Sequence, residues 1–285
     1  MNAELIEDIR RLSKAKEFPD QTAYRSISVD AIRTLSHSSG YSGRAVEIAA
    51  LEHDIVPERY ARNMKTFSLQ DQIKLLGSRV SIVGLGGLGG GVTEILARIG
   101  IGKLNLIDGD TFEDSNLNRQ FLSTCDLLAA PKARAAFERV RQINPSLEVI
   151  QHTGFLTEEN SVELLADSDL VVDCLDNLKT RFELELACKR IQSPLVSAAI
   201  AGSSGQVTTI FPEDNGFRLI YGDPERAPLK GAETALGTVP YSVTAVAALE
   251  CAEVVKILLK RGTPLRNRLL IADLMDGTFD IVNLQ

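Results

Sequence analysis

The sequence predicts an α/β fold: a Rossmann-like, doubly wound, mostly parallel sheet that antiparallel strands extend. Short apolar runs alternate with helix-spaced segments for about 120 residues beyond residue 79, as in folds with helices on both faces of a sheet. Several of these runs are apolar at successive positions, which is typical of parallel strands buried on both faces. After about Gly205 the pattern changes to strands joined by turns, which indicates the antiparallel part.

The chain begins with a segment that we predict to be a helical extension, residues 1–58, ahead of a main domain at 59–285. Ser28 and Ser42 are suitable N-caps for two of its helices. The predicted helices are 4–18, 28–40 and 42–56. The last two form a candidate helix-turn-helix in shape, but their acidic content argues against DNA binding. The extension is expected either to cover hydrophobic surface or to grip a carrier or peptide.

A glycine-rich turn follows the first strand of the main domain, which contains Val80, Ile82 and Val83. Glycines let the backbone approach a phosphate closely, and a helix start directs its N–H groups toward that anion. The glycines of this turn are Gly84, Gly86, Gly87 and Gly89. The next strand ends at Asp108, about twenty residues further on, where a carboxylate can bind ribose hydroxyls. The pattern predicts a nucleotide site without identifying the nucleotide, and a purely structural turn is the alternative.

The remaining elements follow in alternation. After Asp110 comes a polar loop at 111–121, and Pro131 suits the first position of a helix. Helices are predicted at 131–142, 159–168, 180–191 and 242–262, and strands at 147–152, 169–175, 194–200, 206–211, 217–222 and 268–285. Asp276-Gly277 favours a hairpin within the last of these segments. Residues 223–240 are turn-rich.

Composition excludes several classes of function. The formal charge of −7 argues against a dedicated nucleic-acid binder, which usually carries a basic face. The chain has no apolar run of about twenty residues and no apolar signal core near its start, so we expect a cytoplasmic protein without a membrane segment. Its four cysteines are widely separated and include no CxxC pair, so no zinc site is expected.

Charged and polar residues gather where the predicted strands end, which is where ligands bind to open parallel sheets. These residues are Asp108, Asp110, Asn116, Arg119, Gln120, Lys132 and Asp176. A nicotinamide cofactor does not need two cations and a further acid, whereas a nucleoside triphosphate with a divalent metal does. Each residue also has a simpler interpretation: Arg119 as an unpartnered surface arginine, Lys132 as a solvated helix-terminal lysine, and Asp176 as a helix cap.

Six motifs occur together in the order and spacing of one family. They are RYARNM at 59–64, GLGGLG at 84–89, IDGD at 107–110, NLNRQF at 116–121, PKA at 131–133 and DCLDN at 173–177. The chain therefore resembles the ubiquitin-activating-like adenylyltransferases that include ThiF, MoeB and HesA, over about residues 55–285. Any one motif alone would be weak, but the set is specific.

The resemblance implies an enzyme that uses ATP and Mg²⁺ to adenylate the C-terminal glycine carboxylate of a small protein. It implies that Asp108 binds ribose, and that Asp176 holds Mg²⁺. Asn116, Arg119 and Lys132 would form a triphosphate clamp. In a homodimer, Arg62 would contact the nucleotide that is bound to the partner subunit. The expected partner is a ubiquitin-like sulfur-carrier protein ending in Gly-Gly, in molybdopterin, tungstopterin or thiamine synthesis.

Two departures from the family limit this expectation. The CxxC pairs that hold zinc in many bacterial relatives are absent, and residues 212–240 contain no cysteine that could form a thioester or persulfide. We therefore expect adenylation alone, with sulfur delivered by a separate sulfurtransferase. The alternatives are adenylation of a ribosomal peptide or another carboxylate, an NAD-dependent oxidoreductase, and a non-catalytic nucleotide-binding scaffold.

Overall fold

The N-terminal part of the chain builds a small unit of its own. The computed structural model describes residues 3–226, 231 and 233–284. Its first elements are α1 (Ala3–Leu12), β1 (Lys14–Glu17), β2 (Ala23–Ile27), α2 (Val29–Ser39), α3 (Gly43–Glu52) and β3 (Ile55–Pro57). The predicted caps of α2 and α3 are confirmed, because Ser28 accepts a hydrogen bond from the Ala31 amide and Ser42 accepts one from Ala45.

The extension contains the three predicted helices in shorter form, and it also contains strands that were not predicted. The helix predicted at 4–18 ends at Leu12, and β1, β2 and β3 pair in that order as a three-stranded sheet. The first strand is exposed at every position, so it carries no apolar alternation that sequence reasoning could detect. Its hairpin is closed instead by Phe18 stacking on Tyr24, with ring centroids 4.1 Å apart.

The main sheet has eight strands in the order β11-β10-β9-β8-β7-β4-β5-β6, and it confirms the predicted fold class. Strands β8, β7, β4, β5 and β6 are parallel, whereas β9, β10 and β11 extend the sheet antiparallel. The strands are β4 (Arg79–Val83), β5 (Lys103–Ile107), β6 (Glu148–His152), β7 (Leu170–Asp173), β8 (Leu195–Ala201), β9 (Ser204–Ile210), β10 (Arg268–Asp273) and β11 (Thr278–Asn283).

Helices cover both faces of this sheet. They are α4 (Leu69–Gly77), α5 (Gly87–Ile99), α6 (Lys132–Ile143), α7 (Glu158–Leu165), α8 (Leu178–Arg190), α9 (Arg218–Tyr221), α10 (Glu233–Leu236) and α11 (Pro240–Leu259). Val80 and Ile82 face one apolar cluster and Val83 the other, as the two-residue period of a strand requires.

Part of the turn-rich stretch at 223–240 lies outside the described residues, as does Gln285 at the end of the predicted 268–285 segment. No helix within the described ranges is long and apolar enough to cross a membrane.

One further prediction is corrected here. The predicted strand at 217–222 is the short helix α9. Phe217, Ile220 and Tyr221 recur at helical spacing and pack together on α8, where the Phe217 ring lies 5.8 Å from that of Phe182. This spacing was present in the sequence, but the apolar run is too short to distinguish a helix from a strand.

A buried polar network holds the N-terminal unit to the main sheet. Glu47 of α3 is fully buried and accepts hydrogen bonds from the Tyr60 hydroxyl (3.1 Å) and the Ser146 hydroxyl (2.8 Å). Asn144 donates to the Tyr60 oxygen at 2.8 Å, and Arg59 Nε lies 3.4 Å from Glu47 Oε1. Burial raises the pKa of Glu47, and Arg59 and the two hydroxyl donors oppose that rise. Tyr60, within the motif at 59–64, therefore has a structural role. The division of domains at 58/59 stays a prediction.

We expect Glu47→Ala to lower the free energy of unfolding by about 3 kcal/mol, because it leaves buried donors and the Arg59 cation without their acceptor. Urea denaturation measures this change. Glu52→Ala removes an exposed carboxylate from the same helix and is the matched control. Equal stability of the two variants would contradict a holding role for the network.

Candidate functional site

A cavity of about 1090 Å³ opens at the carboxyl ends of the parallel strands. The chain runs from β4 to β5 on one side and later returns to β7 on the other side of β4, so a crevice forms where the strand order reverses. The predicted residues that line it are Gly84, Gly86, Gly87, Asp108, Asp110, Arg119, Gln120, Lys132 and Asp176. Gly89, Asn116 and Arg62 do not line it.

The glycine turn can pack closely against the end of β7 only because its glycines have no side chains. Gly84 has φ = 87°, and a Cβ there would lie 2.7 Å from the Cys174 carbonyl oxygen at the end of β7. Gly89 lies one turn into α5, where a Cβ would lie 1.8 Å from the Gly84 oxygen. Gly89 thus permits the helix to pack on the turn, while Gly84, Gly86 and Gly87 face the cavity. The first turn of α5 has backbone N–H groups without intrahelical acceptors, which suits a phosphate.

Asp108 is held in one orientation by the backbone. Its Oδ2 accepts from the Leu85 amide at 2.6 Å and its Oδ1 from the Asp110 amide at 2.7 Å. Burial raises the pKa of this carboxyl, and the two amide hydrogen bonds oppose the rise. Each oxygen retains a lone pair for a further donor such as a ribose hydroxyl. Asp108 therefore keeps acceptor capacity toward the cavity, and its binding of ribose stays a prediction.

Lys132 is a buried cation, and the interpretation as a solvated lysine is wrong. Its side chain is 9% exposed, and its ammonium lies 3.1 Å from Asp110 Oδ2. Asp110 itself is 55% exposed. The Lys132 amide also donates to the Asp110 carbonyl at 3.0 Å, so the motifs at 107–110 and 131–133 are joined by backbone and side chain. An ammonium has three donors, so this one can also contact an anion in the cavity.

The polar loop presents Arg119 and Gln120 to the cavity. Arg119 Nη1 donates to the Ser115 carbonyl and to Asn118 Oδ1, both at 2.9 Å, so this arginine is not unpartnered. Gln120 is buried, and its Oε1 has no hydrogen-bond partner among the residues that the structure describes. Asn116 is buried and accepts from the Glu113 amide at 3.1 Å, which shapes the loop. Asn118 of the same predicted loop also lines the cavity.

Asp176 is exposed at the end of β7 and, within the described ranges, makes no hydrogen bond or ion pair. It is not the cap of α8, because Asn177 accepts the hydrogen bond from the Thr180 amide. The alternative interpretation as a cap is therefore wrong. Its carboxylate is available to the cavity and is the oxygen type that Mg²⁺ prefers.

Arg181 lines the cavity and is absent from the predicted set. It is buried, and its Nη1 lies 3.4 Å from Oδ2 of the buried Asp173. Its Nη2 donates to the Leu175 carbonyl (2.5 Å) and the Ala198 carbonyl (2.7 Å), which fixes the loop carrying Asp176 against β8. Burial raises the pKa of Asp173, and Arg181 opposes that rise. A carboxylate at the end of a fully apolar strand, such as Asp173, needs a cationic or hydrogen-bonding partner when it is buried. This requirement was the signal in the sequence that could have led to Arg181.

Cys174 contacts a buried carboxyl group below the cavity. Its Sγ lies 3.7 Å from Glu250 Oε2, and Glu250 Oε1 has no hydrogen-bond partner in the described part of the chain. Burial, and secondarily the charge of Asp173, raises the pKa of Glu250 well above its ordinary value of 4.5. Burial likewise raises the pKa of the Cys174 thiol. The Cys174 thiol also lines the cavity, and its raised pKa argues against a role as a nucleophile.

Arg62 is exposed and lies away from the cavity of its own chain. Among the described residues, no three or more His, Cys, Asp and Glu side chains form a group that could hold a metal ion.

Comparison with known proteins decides the family. A family model described as "ThiF family" matches residues 60–285. The chain belongs to the ThiF family. The SAMP-activating enzyme E1 of Haloferax volcanii is 38% identical over 79% of this chain and 84% of that protein. The Escherichia coli sulfur carrier protein ThiS adenylyltransferase is 36% identical over 72% of this chain and 83% of that protein. Adenylyltransferase and sulfurtransferase MOCS3 of Drosophila yakuba is 34% identical, and this chain spans 63% of its length.

Solved structures show the same fold. PaaA matches with a TM-score of 0.68 at 23% identity, covering 80% of this chain and 82% of that one. Microcin C7 biosynthetic enzyme MccB in complex with N-formylated MccA matches with a TM-score of 0.65 at 23% identity. That match covers 99% of this chain and 87% of the other, so it includes the N-terminal unit.

Glu250→Gln is expected to change how stability depends on pH. The folded state keeps the Glu250 proton that the unfolded chain releases, so this stabilisation is complete below about pH 4.5 and declines as pH rises toward the raised pKa. Relative to wild type, Glu250→Gln should therefore become progressively more stable between pH 4.5 and 8. Urea denaturation across this range measures the difference, with the exposed Glu52→Gln as control. A constant difference would contradict a buried neutral carboxyl.

Proposed function

We propose that this chain is an ATP-dependent adenylyltransferase that activates the C-terminal glycine carboxylate of a ubiquitin-like sulfur-carrier protein. One observation carries the proposal: Lys132, Arg119 and Asp176 line one cavity together with the glycine turn. That set suits a triphosphate and a divalent cation better than it suits a dinucleotide. The names of the relatives, which are activating enzymes and adenylyltransferases, support the same reaction.

The chemistry requires positive charge rather than a catalytic base. A C-terminal carboxylate has a pKa near 3.5 and is already an anionic nucleophile at neutral pH. It must approach the α-phosphate of a polyanion, and each pair of unit charges at 4 Å costs about 4 kcal/mol at an effective dielectric of 20. Lys132 and Arg119 offset this repulsion. Because Lys132 is buried, water screens its charge less than that of a surface lysine.

The reaction exchanges one bond to the α-phosphorus for another. A carboxylate oxygen forms a bond to that phosphorus, the bond to the oxygen bridging to the β-phosphate breaks, and pyrophosphate leaves with the electron pair. Donors aimed at the leaving group stabilise its developing charge. We assign this task to Arg119, Lys132 and the first-turn amides of α5. Gln120 lines the same cavity and is assigned to nucleotide binding.

The residues present fit a magnesium ion. Asp176 lines the cavity and has no ion-pair partner among the described residues. Mg²⁺ is commonly held by one or two carboxylates together with substrate phosphates and water. Such an ion neutralises phosphate charge when it is bound. Asp110 is already paired with Lys132, so we assign the ion to Asp176 alone. Zinc has no role in this proposal.

The rest of the cavity suits an extended glycine tail. Its wall is formed by the β8–β9 hairpin and the start of the following segments, with small residues at many positions. These include Ala199, Ala201, Ser204, Gly205, Gly237 and Thr238. A tail without side chains could lie along this wall and bring its carboxylate toward the phosphates. We place the Gly-Gly end of the carrier here.

The proposed partners follow from the family. A homodimer would allow the exposed Arg62 to reach the nucleotide of the partner subunit. Residues 212–240 contain no cysteine, so we propose that a sulfurtransferase on another polypeptide supplies sulfur. Sulfur carriers of molybdopterin, tungstopterin or thiamine synthesis are the proposed substrates. The four free thiols are compatible with a reducing cytoplasm, where we place the reaction.

Arg119→Ala and Lys132→Ala are each expected to lower carrier-dependent ATP–pyrophosphate exchange by about 10²–10³-fold, because each removes a charge that stabilises the leaving pyrophosphate. Thermal denaturation should show both variants folded. Arg190→Ala removes an exposed arginine far from the cavity and is the control. Near-normal exchange in both variants would refute the clamp.

The substrate class is tested by the exchange reaction itself. Exchange should appear with a carrier ending in Gly-Gly and disappear when its last glycine is deleted. Exchange with a short peptide alone would favour a peptide substrate instead. ATP binding without exchange for any carboxylate would favour a scaffold, and tight NADH binding without ATP binding would favour an oxidoreductase.

A further inference from the structure

Phe155 is a large apolar side chain on the wall of the nucleotide cavity, and it is 64% exposed. Tyr221 is the other aromatic residue among the described lining residues, but it packs against Phe217 and its hydroxyl accepts from Gln206 at 2.5 Å. The clamp does not use Phe155. An exposed aromatic face in a binding cavity is a surface on which a planar ligand group can stack.

The chain holds Phe155 in place on both sides. Leu156 is buried beside Val83 and Ile107, so it anchors the segment in the core while Phe155 remains at the surface. The Phe155 carbonyl accepts from Asn160 Nδ2 at 3.0 Å, and Asn160 also accepts from the Thr157 amide in the capping box of α7. The backbone below the ring is therefore ordered before any ligand arrives.

The ring lies directly over Gly109. A Cβ at Gly109 would lie 2.8 Å from two ring carbons of Phe155 and 2.9 Å from a third. Such a contact is closer than carbon atoms can approach, so a side chain at 109 would displace the ring. Gly109 separates Asp108 from Asp110, and the ring thus sits beside the carboxylate proposed to bind ribose.

The ends of three neighbouring strands indicate the orientation in which a nucleotide would lie in the cavity. The glycine turn follows β4, Asp108 follows β5, and Phe155 follows β6, and these strands are adjacent and parallel. The Asp108 amide donates to the His152 carbonyl at 3.2 Å, which keeps the ends of β5 and β6 together. If the phosphates bind at the glycine turn and the ribose binds at Asp108, the base reaches Phe155.

We infer that Phe155 is the stacking platform for the nucleobase of the nucleoside triphosphate, and that Gly109 is required so that its ring can lie there. This inference rests on the proposed function, because it assumes that the triphosphate binds at the glycine turn and the ribose at Asp108. It assigns a binding and positioning role to a residue outside the six motifs.

The test compares a ligand that has a base with one that lacks it. Calorimetric titration with ATP and with inorganic tripolyphosphate, both with Mg²⁺, is carried out on full-length wild type and Phe155→Ala. Phe155→Ala should weaken ATP binding about tenfold, since base–aromatic stacking has that magnitude, and change tripolyphosphate binding less than about twofold. Phe279→Ala removes another exposed phenylalanine, on β11 outside the cavity, and is the matched control.

Two more variants address geometry. Gly109→Ala should weaken ATP binding like Phe155→Ala, and the double variant should be no weaker than Phe155→Ala, because both changes remove one contact. The chain contains no tryptophan, so Phe155→Trp introduces a single fluorescent probe. ATP should quench its fluorescence and tripolyphosphate should not. In the exchange reaction, Phe155→Ala should raise KM for ATP with little change in kcat.

Equal ATP affinity of wild type and Phe155→Ala would overturn the inference and leave the proposed function intact. An equal loss of ATP and tripolyphosphate affinity would also overturn it, since the effect would then not involve the base. A change of oligomeric state with unchanged ATP affinity would assign Phe155 to a protein contact instead. A wild-type protein that binds neither ligand would overturn both this inference and the proposed function.

Discussion

The site depends on the close approach of the glycine turn after β4 to the end of β7. Gly84 has a left-handed backbone conformation, and no side chain fits between it and the Cys174 carbonyl. This contact brings the start of α5, with its unpaired N–H groups, to the loop that carries Asp176. Phosphate-binding and metal-binding groups thus share one crevice because two backbones touch. Arg181 supports the contact from below by bridging Asp173, the Leu175 carbonyl and β8.

The charged side chains that line the crevice remain available to a ligand, because other residues make the hydrogen bonds that stabilise the neighbouring loops and helices. Asn177 caps α8, which leaves Asp176 without a partner among the described residues, and Asn116 shapes the polar loop, which lets Arg119 face the cavity. Lys132 has one partner, the largely exposed Asp110, so its remaining donors are available. Below this surface, burial raises the pKa of Glu250 well above its ordinary value, which favours its uncharged form under a polyanion.

The N-terminal unit and Phe155 contact the main domain near opposite ends of β5, since Gly100 precedes this strand and Gly109 follows it. The unit is held through the buried Glu47 and Tyr60, and Tyr60 packs where Gly100 leaves room for its ring. The Phe155 ring likewise packs against Gly109, where the absence of a side chain leaves room for it. In both places a glycine of the main domain is needed by an aromatic ring that comes from elsewhere in the chain. The members of these two pairs are 40 and 46 residues apart in the chain, so they have no local sequence signature.

The sequence by itself determined the alternation of strands and helices, the glycine turn, the polar residues at the strand ends and the family. These depend on local periodicity and on short motifs, which a linear sequence displays. The tertiary structure decided which of those residues meet: it joined Lys132 to Asp110, kept Asp176 clear of the other described charges, turned Asn116 inward and kept Arg62 outside the cavity. It also showed strands in the N-terminal unit, the role of Arg181 and the ring over Gly109. These features arise from contacts between distant segments, and their free energy is set by packing and burial rather than by local preference.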